Sequence, residues 1–263
     1  MATTADAPQS PAGTRVLLAG ESWSTTSVHT KGFDSFFTSS YEEGAWPFIR
    51  ALEAAGHTVD FLPNHVAADR FPTTLAELSA YDVVVLSDIG ANTLLLPASV
   101  FSRGRSMPDR LALLAEWVRG GGSLLMVGGY LSFQGIEAKA NYRNTALAEV
   151  LPVLMEVGDD REETPQGIAP RVLPGHPAVA GLPSELPPIL GYQRLLPRPG
   201  SEVLMTVDGR PLFIVGSAGE GRTAAFATDM GPHWLPPVFL EWEGFDRIWQ
   251  SMIGWLAGED ARA

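Results

Sequence analysis

Polar side chains that could do acid, base or nucleophilic chemistry cluster in this sequence just after short apolar runs. The run at 124–127 ends in Gly128-Gly129 and hands over to Tyr130, Leu131 and Ser132. An apolar strand that stops at two glycines reads as a buried strand turning sharply at the rim of a sheet, where several enzyme families expose a nucleophile. The run at 15–20 is followed by Glu21, Ser22 and Trp23, the run at 81–86 by Ser87, Asp88 and Asn92, and the run at 222–228 by Asp229 and His233. A histidine has a reference pKa near neutrality and suits general acid/base work, with a carboxylate such as Asp229 or Glu21 to orient it. Tyr130 would donate a hydrogen bond or a proton, and Ser132 is a fallback nucleophile. Asp88, Asn92, Gly129, Ser132, His29 and His65 complete the set that could hold a ligand. Each has a plainer reading too: a cap, a loop charge, a turn glycine, or a histidine bonded to backbone.

The elements that must carry these residues follow from periodicity. Runs at 15–20, 57–62, 81–86 and 124–127 read as strands, with amphipathic helices at 41–55 and 109–119 and a short one at 75–79. Trp46, Ile49, Leu52 and Ala55 mark the first helix; Leu111, Leu114 and Val118, behind an Asp109 cap, mark the second. The stretch 94–108 reads as a loop. Ligands of such open α/β sheets bind at the carboxyl ends of the strands. Residues 24–40, polar and aromatic, are too long for an ordinary strand-to-helix connection, so they form a loop that could fold over the rim. In it His29, Lys31 and Asp34 could reach a ligand while Phe33, Phe36 and Phe37 anchor the loop.

Beyond Phe133 the pattern loosens. A helix over 141–150, a strand over 151–154 and a solvated charge cluster over 158–163 are expected, and 164–199 is too rich in proline for a helix. Three β-like runs at 203–207, 211–215 and 222–228, separated by Asp208-Gly209 and Gly219-Glu220-Gly221, predict an antiparallel extension of the sheet. A last helix over 239–256 would bury Trp242, Phe245, Trp249, Ile253 and Leu256. Residues 1–14 and 259–263 read as tails around one domain of 15–258.

The 263 residues include no cysteine, which removes disulfides, thiolate metal sites and any thiol nucleophile. A net charge of −12 disfavours a nucleic-acid surface or a polybasic membrane patch. No signal-type segment and no apolar run of membrane length is present, so a soluble cytoplasmic protein is expected. Symmetric self-association into a homo-oligomer is the ordinary expectation for such a chain. No cofactor is expected. A divalent metal bound by some of Glu21, His29, His65, Asp229 and His233 is a variant, although their spacing forms no recognised ligand motif.

The stretch Gly-Gly-Tyr-Leu-Ser-Phe-Gln-Gly from Gly128, the stretch Ser87-Asp88-Ile89-Gly90-Ala91-Asn92, and the segment from Gly221-Arg222 to Gly231-Pro232-His233-Trp234 together resemble a cysteine-lacking branch of the class I glutamine amidotransferase-like superfamily, near the trehalose-utilisation proteins. The resemblance implies a flavodoxin-like three-layer α/β sandwich with a mainly parallel sheet. In true class I glutamine amidotransferases the elbow residue is a cysteine, and a later histidine precedes a glutamate by two positions. Matched to this chain, the elbow is Tyr130, the histidine is His233, and Leu235 stands where the glutamate belongs. Glutamine hydrolysis by that route needs a thiolate, and a phenol of reference pKa about 10 is a poor substitute. Two classes of function stay open: an enzyme acting on a small polar metabolite, carbohydrate-like or amide-containing, through hydrolase- or isomerase-type acid/base chemistry at His233; and a non-catalytic ligand- or partner-binding protein on the same fold.

Overall fold

A computed structural model describes residues 13–259. The N-terminal tail expected over 1–14 falls almost wholly outside this range, as do residues 260–263 of the C-terminal one. At the described ends the chain is tied down: Thr14 is buried, its carbonyl accepts from Thr58 N, and its hydroxyl donates to Glu259 at 2.8 Å.

In chain order the elements are β1 (Arg15–Gly20), β2 (Ser22–Lys31), β3 (Asp34–Glu43), α1 (Trp46–Ala54), β4 (Thr58–Leu62), α2 (Asn64–Arg70), α3 (Leu75–Leu78), β5 (Val83–Ser87), α4 (Ala91–Leu95), α5 (Ala98–Phe101), α6 (Arg110–Arg119) and β6 (Ser123–Val127). The second half adds β7 (Val153–Met155), β8 (Arg161–Ile168), β9 (Arg171–Val172), β10 (Ile189–Gln193), β11 (Leu195–Pro197), β12 (Glu202–Val207), β13 (Arg210–Ala218), β14 (Gly221–Phe226), α7 (Pro237–Leu240) and α8 (Phe245–Leu256).

Eight strands form the main sheet in the order β4-β1-β5-β6-β14-β13-β12-β9. The first five are mutually parallel, and β13, β12 and β9 continue antiparallel. Numbered among themselves, the parallel strands run 2-1-3-4-5, the flavodoxin-like order, whose switch point lies between the first and third. Here that crevice opens between the carboxyl ends of β1 and β5. Both strands are buried along almost their whole length, as expected for parallel strands covered on both faces. Helices α1 and α8 pack together in one layer, while α2, α3, α4 and α6 contact one another in another. Trp249 of α8 centres the first layer, its ring 5.1 Å from that of Phe48, 5.4 Å from Phe226 and 6.1 Å from Phe245.

Several expected elements differ. The helix expected from residue 41 starts at Trp46, because residues up to Glu43 belong to β3, and Trp46 is about half exposed where burial was expected. The supposed loop 94–108 holds α5 and the end of α4. The helix expected over 141–150 is only 3-10 turns. The final helix is split by a turn after Leu240, leaving Trp242 between α7 and α8. The expected lid of 24–40 is no loop: β2 and β3 pair antiparallel over ten residues each, from Ser22↔Glu43 to Lys31↔Asp34. Phe33, Phe36 and Phe37 anchor nothing; they are exposed.

The sheet edge nearest the crevice has no room for side chains at one point. Gly20 ends β1 with φ 111°, and a Cβ there would stand 1.8 Å from Ser87 O of the neighbouring strand. Backbone cannot yield as a side-chain tip can, so Gly20→Ala is expected to cost at least about 3 kcal/mol, read as a fall in the urea midpoint with little change in m. A midpoint within experimental error of the parent would show that β1 and β5 can separate here.

Candidate functional site

Four strand ends converge. After Gly20 the chain places Glu21 in the left-handed region (φ 49°), its N–H donating to Ser87 O at 2.8 Å. Asp88 follows β5 with φ 43°. The end of β14 leads through Ala227 and Thr228 to Asp229, and His233 stands four residues on with φ 95°. Non-glycine residues in this region are strained and persist only where surroundings over-determine them, which is common at functional sites. The loop ends are tied by Asn64, whose side-chain amide donates to both Ser22 O and Asp88 O while its backbone N–H donates to Ser22 Oγ.

Glu21 and Asp229 are each about 1% exposed. Ser87 Oγ donates to Glu21 Oε2 at 2.6 Å, and the Glu21 and Asp229 carboxyls lie close enough to act on each other's titration. Asp229 Oδ1 accepts from Met230 N and Gly231 N at 2.7 and 3.2 Å. Burial, followed by the charge of Asp88, pushes Glu21 up to about 8. Burial, followed by the charges of Glu21 and Asp88, holds Asp229 well above the usual carboxylate range. Asp88, partly exposed, is raised as well, chiefly by desolvation and against the N–H groups of Leu131 and Tyr130 and the charge of His233. Glycine backbone closes the pair in: a Cβ on Gly44 would lie 2.5 Å from Glu21 Oε1, and one on Gly231 2.7 Å.

His233 leads from this pair to the surface. Its Nδ1 is 4.0 Å from Asp229 Oδ2, and its side chain is 42% exposed against 1% for Asp229. Trp23, at the root of β2, stands over the imidazole with ring centroids 4.8 Å apart, and the Tyr130 ring is 5.8 Å away on another side.

The elbow after β6 is built tightly but differently from expectation. Gly128 N donates to Phe226 O and Thr228 O, and Gly129 (φ 137°), not Tyr130, takes the positive φ. Gln193 Nε2 donates to Gly129 O. The chain beyond forms turns and a 3-10 segment where a strand-to-helix turn was expected, because the buried Asp160 carboxylate draws Gln134 N and Gly135 N to itself at 3.1 and 2.8 Å. Leu131 N donates to Asp88 Oδ1 at 2.6 Å. The N–H after an elbow residue is the usual oxyanion donor. Here an internal carboxylate already fills it.

Of the residues singled out from sequence, Glu21, Asp88, Gly129, Tyr130, Asp229 and His233 are brought together. Ser132 is 2% exposed, and its hydroxyl accepts from Asp88 N at 3.0 Å, so it braces the loop and is not placed as a nucleophile. Three others stand apart. His29 lies seven residues along β2 from Ser22, about 23 Å at 3.3 Å per residue, stacked on Phe36 and bonded to Thr38 Oγ1. His65 is exposed on α2, edge-on to Tyr41. Asn92 is exposed in the first turn of α4. The metal-ligand set that combined His29 and His65 with Glu21, Asp229 and His233 is therefore not assembled, and among the described residues no other group of three or more such side chains is arranged to hold an ion.

The charge cluster at 158–163 contributes where only solvated loop was expected. Asp160 is fully buried and pushed by desolvation up to about 6. The Arg161 guanidinium lies 4.6 Å over the Tyr130 ring, and Glu163 accepts from Trp234 Nε1 at 3.0 Å. Burial, and then Glu163, raises the Tyr130 phenol against the opposing Arg161, making the phenolate harder to form. Trp23, Asn64, Arg161, Glu163, Gln193 and Trp234 were thus missed as site residues; only Trp23 and Asn64, each just past an apolar run, carried a sequence signal.

Residues 15–258 match the family described as "putative glutamine amidotransferase". The chain belongs to that family. The cytoplasmic protein STM3548 from Salmonella typhimurium is 44% identical to this amidotransferase-like chain, over 92% of it and 98% of the Salmonella protein, with a TM-score of 0.89. The cytoplasmic protein STM1381 from Salmonella typhimurium LT2 is 45% identical over 92% and 99%, also at 0.89. A ThuA-like protein from Parabacteroides merdae shares 15% identity over 94% and 91% at 0.53, a likeness of fold alone. No curated protein matches. Among the described residues of this amidotransferase-like protein, no helix is long and apolar enough to cross a membrane.

Because the folded state raises Glu21 to about 8, it binds more protons than the unfolded chain between the ordinary carboxylate range and that value. The stabilisation is complete at acid pH and is lost as pH rises through about 8, a change on the order of a few kcal/mol. Glu21→Gln is accordingly expected to leave the melting temperature near pH 5 little changed and to raise it near pH 8, flattening the profile. A variant less stable than the parent at both values would show that the carboxyl is held as an anion.

Proposed function

We propose that this protein binds a small polar metabolite, carbohydrate-like or amide-containing, at the rim formed by β1, β5, β6 and β14, and transforms it by general acid/base chemistry at His233. The line Glu21–Asp229–His233 carries this reading: two neighbouring buried carboxyls, with a half-exposed imidazole beside them under Trp23 and Tyr130. His233 takes a proton from a substrate O–H or N–H at Nε2, while Nδ1–H faces Asp229 and compensates the charge that develops. The 4.0 Å gap shortens to a hydrogen bond with a shift of about 1 Å, the kind of tightening seen when a catalytic site fills. No step passes through a covalent acyl-enzyme, since the elbow bears a phenol and its N–H donors hold Asp88. The net charge of −12 points to a small neutral or cationic ligand over a nucleic acid, and the two cytoplasmic Salmonella proteins support a cytoplasmic setting.

A second reading, non-catalytic binding, is favoured by one observation: Asp88 occupies the donors that would stabilise an oxyanion. A thermal-shift screen over sugars, amides and amino acids, followed by product analysis on each hit, separates the two. Catalysis predicts turnover that falls by about 10²-fold or more in His233→Ala while its melting curve stays cooperative. Binding without product, unchanged in His233→Ala, sinks the catalytic reading in favour of the second. With glutamine, no ammonia above a no-protein control is expected, and release above that control would overturn the argument from the missing thiol.

A further inference from the structure

Beyond the contacts of Trp23 with His233 and of Tyr41 with His65 at its root, the β2/β3 ribbon pairs with no other strand of the described chain. Every residue from 24 to 42 is exposed, and the ribbon forms a two-stranded sheet of its own, separate from the main one. An isolated two-stranded hairpin is marginally stable in water and needs a further strand or a covering surface. Its side chains ask for cover. With alternation along the strands, Val28, Phe37 and Tyr41 share one face, exposed by 62%, 67% and 46%, and Phe33 crowns the tip fully exposed. Single exposed apolar residues are ordinary, but several on one projecting ribbon mark an interaction surface.

We propose that this ribbon is a dimerisation arm, docking on a second copy of this chain by a two-fold exchange in which each copy's arm covers the other. Charge selects that occupant. The chain carries −12, so two copies repel over most of their surfaces, yet residues 24–41 contain one lysine and one aspartate, Lys31 and Asp34, which face each other in register. Beyond its acidic root at Glu42 and Glu43, the arm is therefore a neutral contact region on an acidic protein, suited to a like-charged partner. Area agrees. Ten residues per strand give an arm of about 33 Å by 10 Å, or about 330 Å² on one face. Covering one face of each of two arms, with the matching surface opposite, buries about 1,300 Å², within the size of a stable specific interface. The root needs no rearrangement for this: Ser22 is buried, Asn64 bonds to it, and Gly44 N donates to Glu21 O at 3.0 Å. Because Trp23 at that root stands on His233, the dimer holds one wall of the rim in place.

Size-exclusion chromatography with light scattering on the full chain is expected to give twice the 28.2 kDa chain mass. The triple variant Val28→Thr, Phe33→Ser, Phe37→Ser is expected to shift the dimer towards monomer by at least about tenfold in Kd, with an unchanged far-UV spectrum. A second variant replaces residues 24–41 by an Asn-Gly turn, which keeps Ser22, Trp23, Glu42 and Glu43, and is expected to be monomeric. If the triple variant aggregates, the second decides. A parent of single-chain mass at tens of micromolar overturns the proposal, and so does a dimer that survives removal of the arm.

Discussion

A carboxyl buried beyond the reach of water must be neutralised or surrounded by donors, and the Glu21–Asp229 pair imposes that condition on the rest of the rim. Ser87 supplies a hydroxyl to Glu21, the N–H groups of residues 230 and 231 supply two donors to Asp229, and burial raises both carboxyls toward the neutral form. The glycines at 44 and 231 exist in this context because any Cβ would displace a carboxyl oxygen. The backbone is left-handed at Glu21, Asp88 and His233, three residues around this pair. Strand packing sustains that strain: the core beneath is almost wholly excluded from solvent.

The family relationship acquires physical content at the elbow. The fold retains the sharp turn after β6, yet the group it presents is a phenol raised by burial and engaged by Arg161 and Glu163, and the donors beside it hold the Asp88 carboxylate. A site built for covalent acyl transfer needs a good nucleophile and free donors aimed at a developing oxyanion. Neither is present. What the rim has instead is a pair of buried carboxyls with an imidazole at the exposed edge.

The arm and the rim are connected by the chain itself. Strand β2 begins one residue after Glu21, and β3 ends one residue before Gly44, so the ribbon projects from the walls of the carboxyl pocket. An insertion of this length at a strand end is tolerated thermodynamically because closure entropy grows slowly with length. Its pairing is set by the register, but its surroundings within one chain leave it solvent-covered on both faces.

The sequence by itself determined the fold class and which residues stand at the strand ends. Continuous apolar runs, periodic helices and turn signals are local properties, and they identified the four parallel strands up to β6, the strands β12 and β13 of the antiparallel extension, and the strand-end positions of Glu21, Asp88, Gly129, Tyr130, Asp229 and His233. The third run expected in that extension is instead β14, which pairs parallel with β6, because a strand's direction is set by its neighbour and not by its own pattern. The resemblance around Tyr130 and His233 identified the family, and the absence of cysteine excluded its thiol chemistry. Tertiary structure alone decided what depends on distance between segments remote in sequence. It set Arg161 over Tyr130 and buried Asp160, although a dense charge run reads as solvated. It carried His29 out along a ribbon, because a run dominated by serine and threonine, with its few apolar side chains split between two strands, resembles a loop until the two halves pair. It placed Asp88 on the elbow N–H groups, a contact of residues 43 apart that no local pattern encodes. Hydrophobic periodicity is written along the chain, whereas the burial of Glu21 beside Asp229 arises only where strand ends meet.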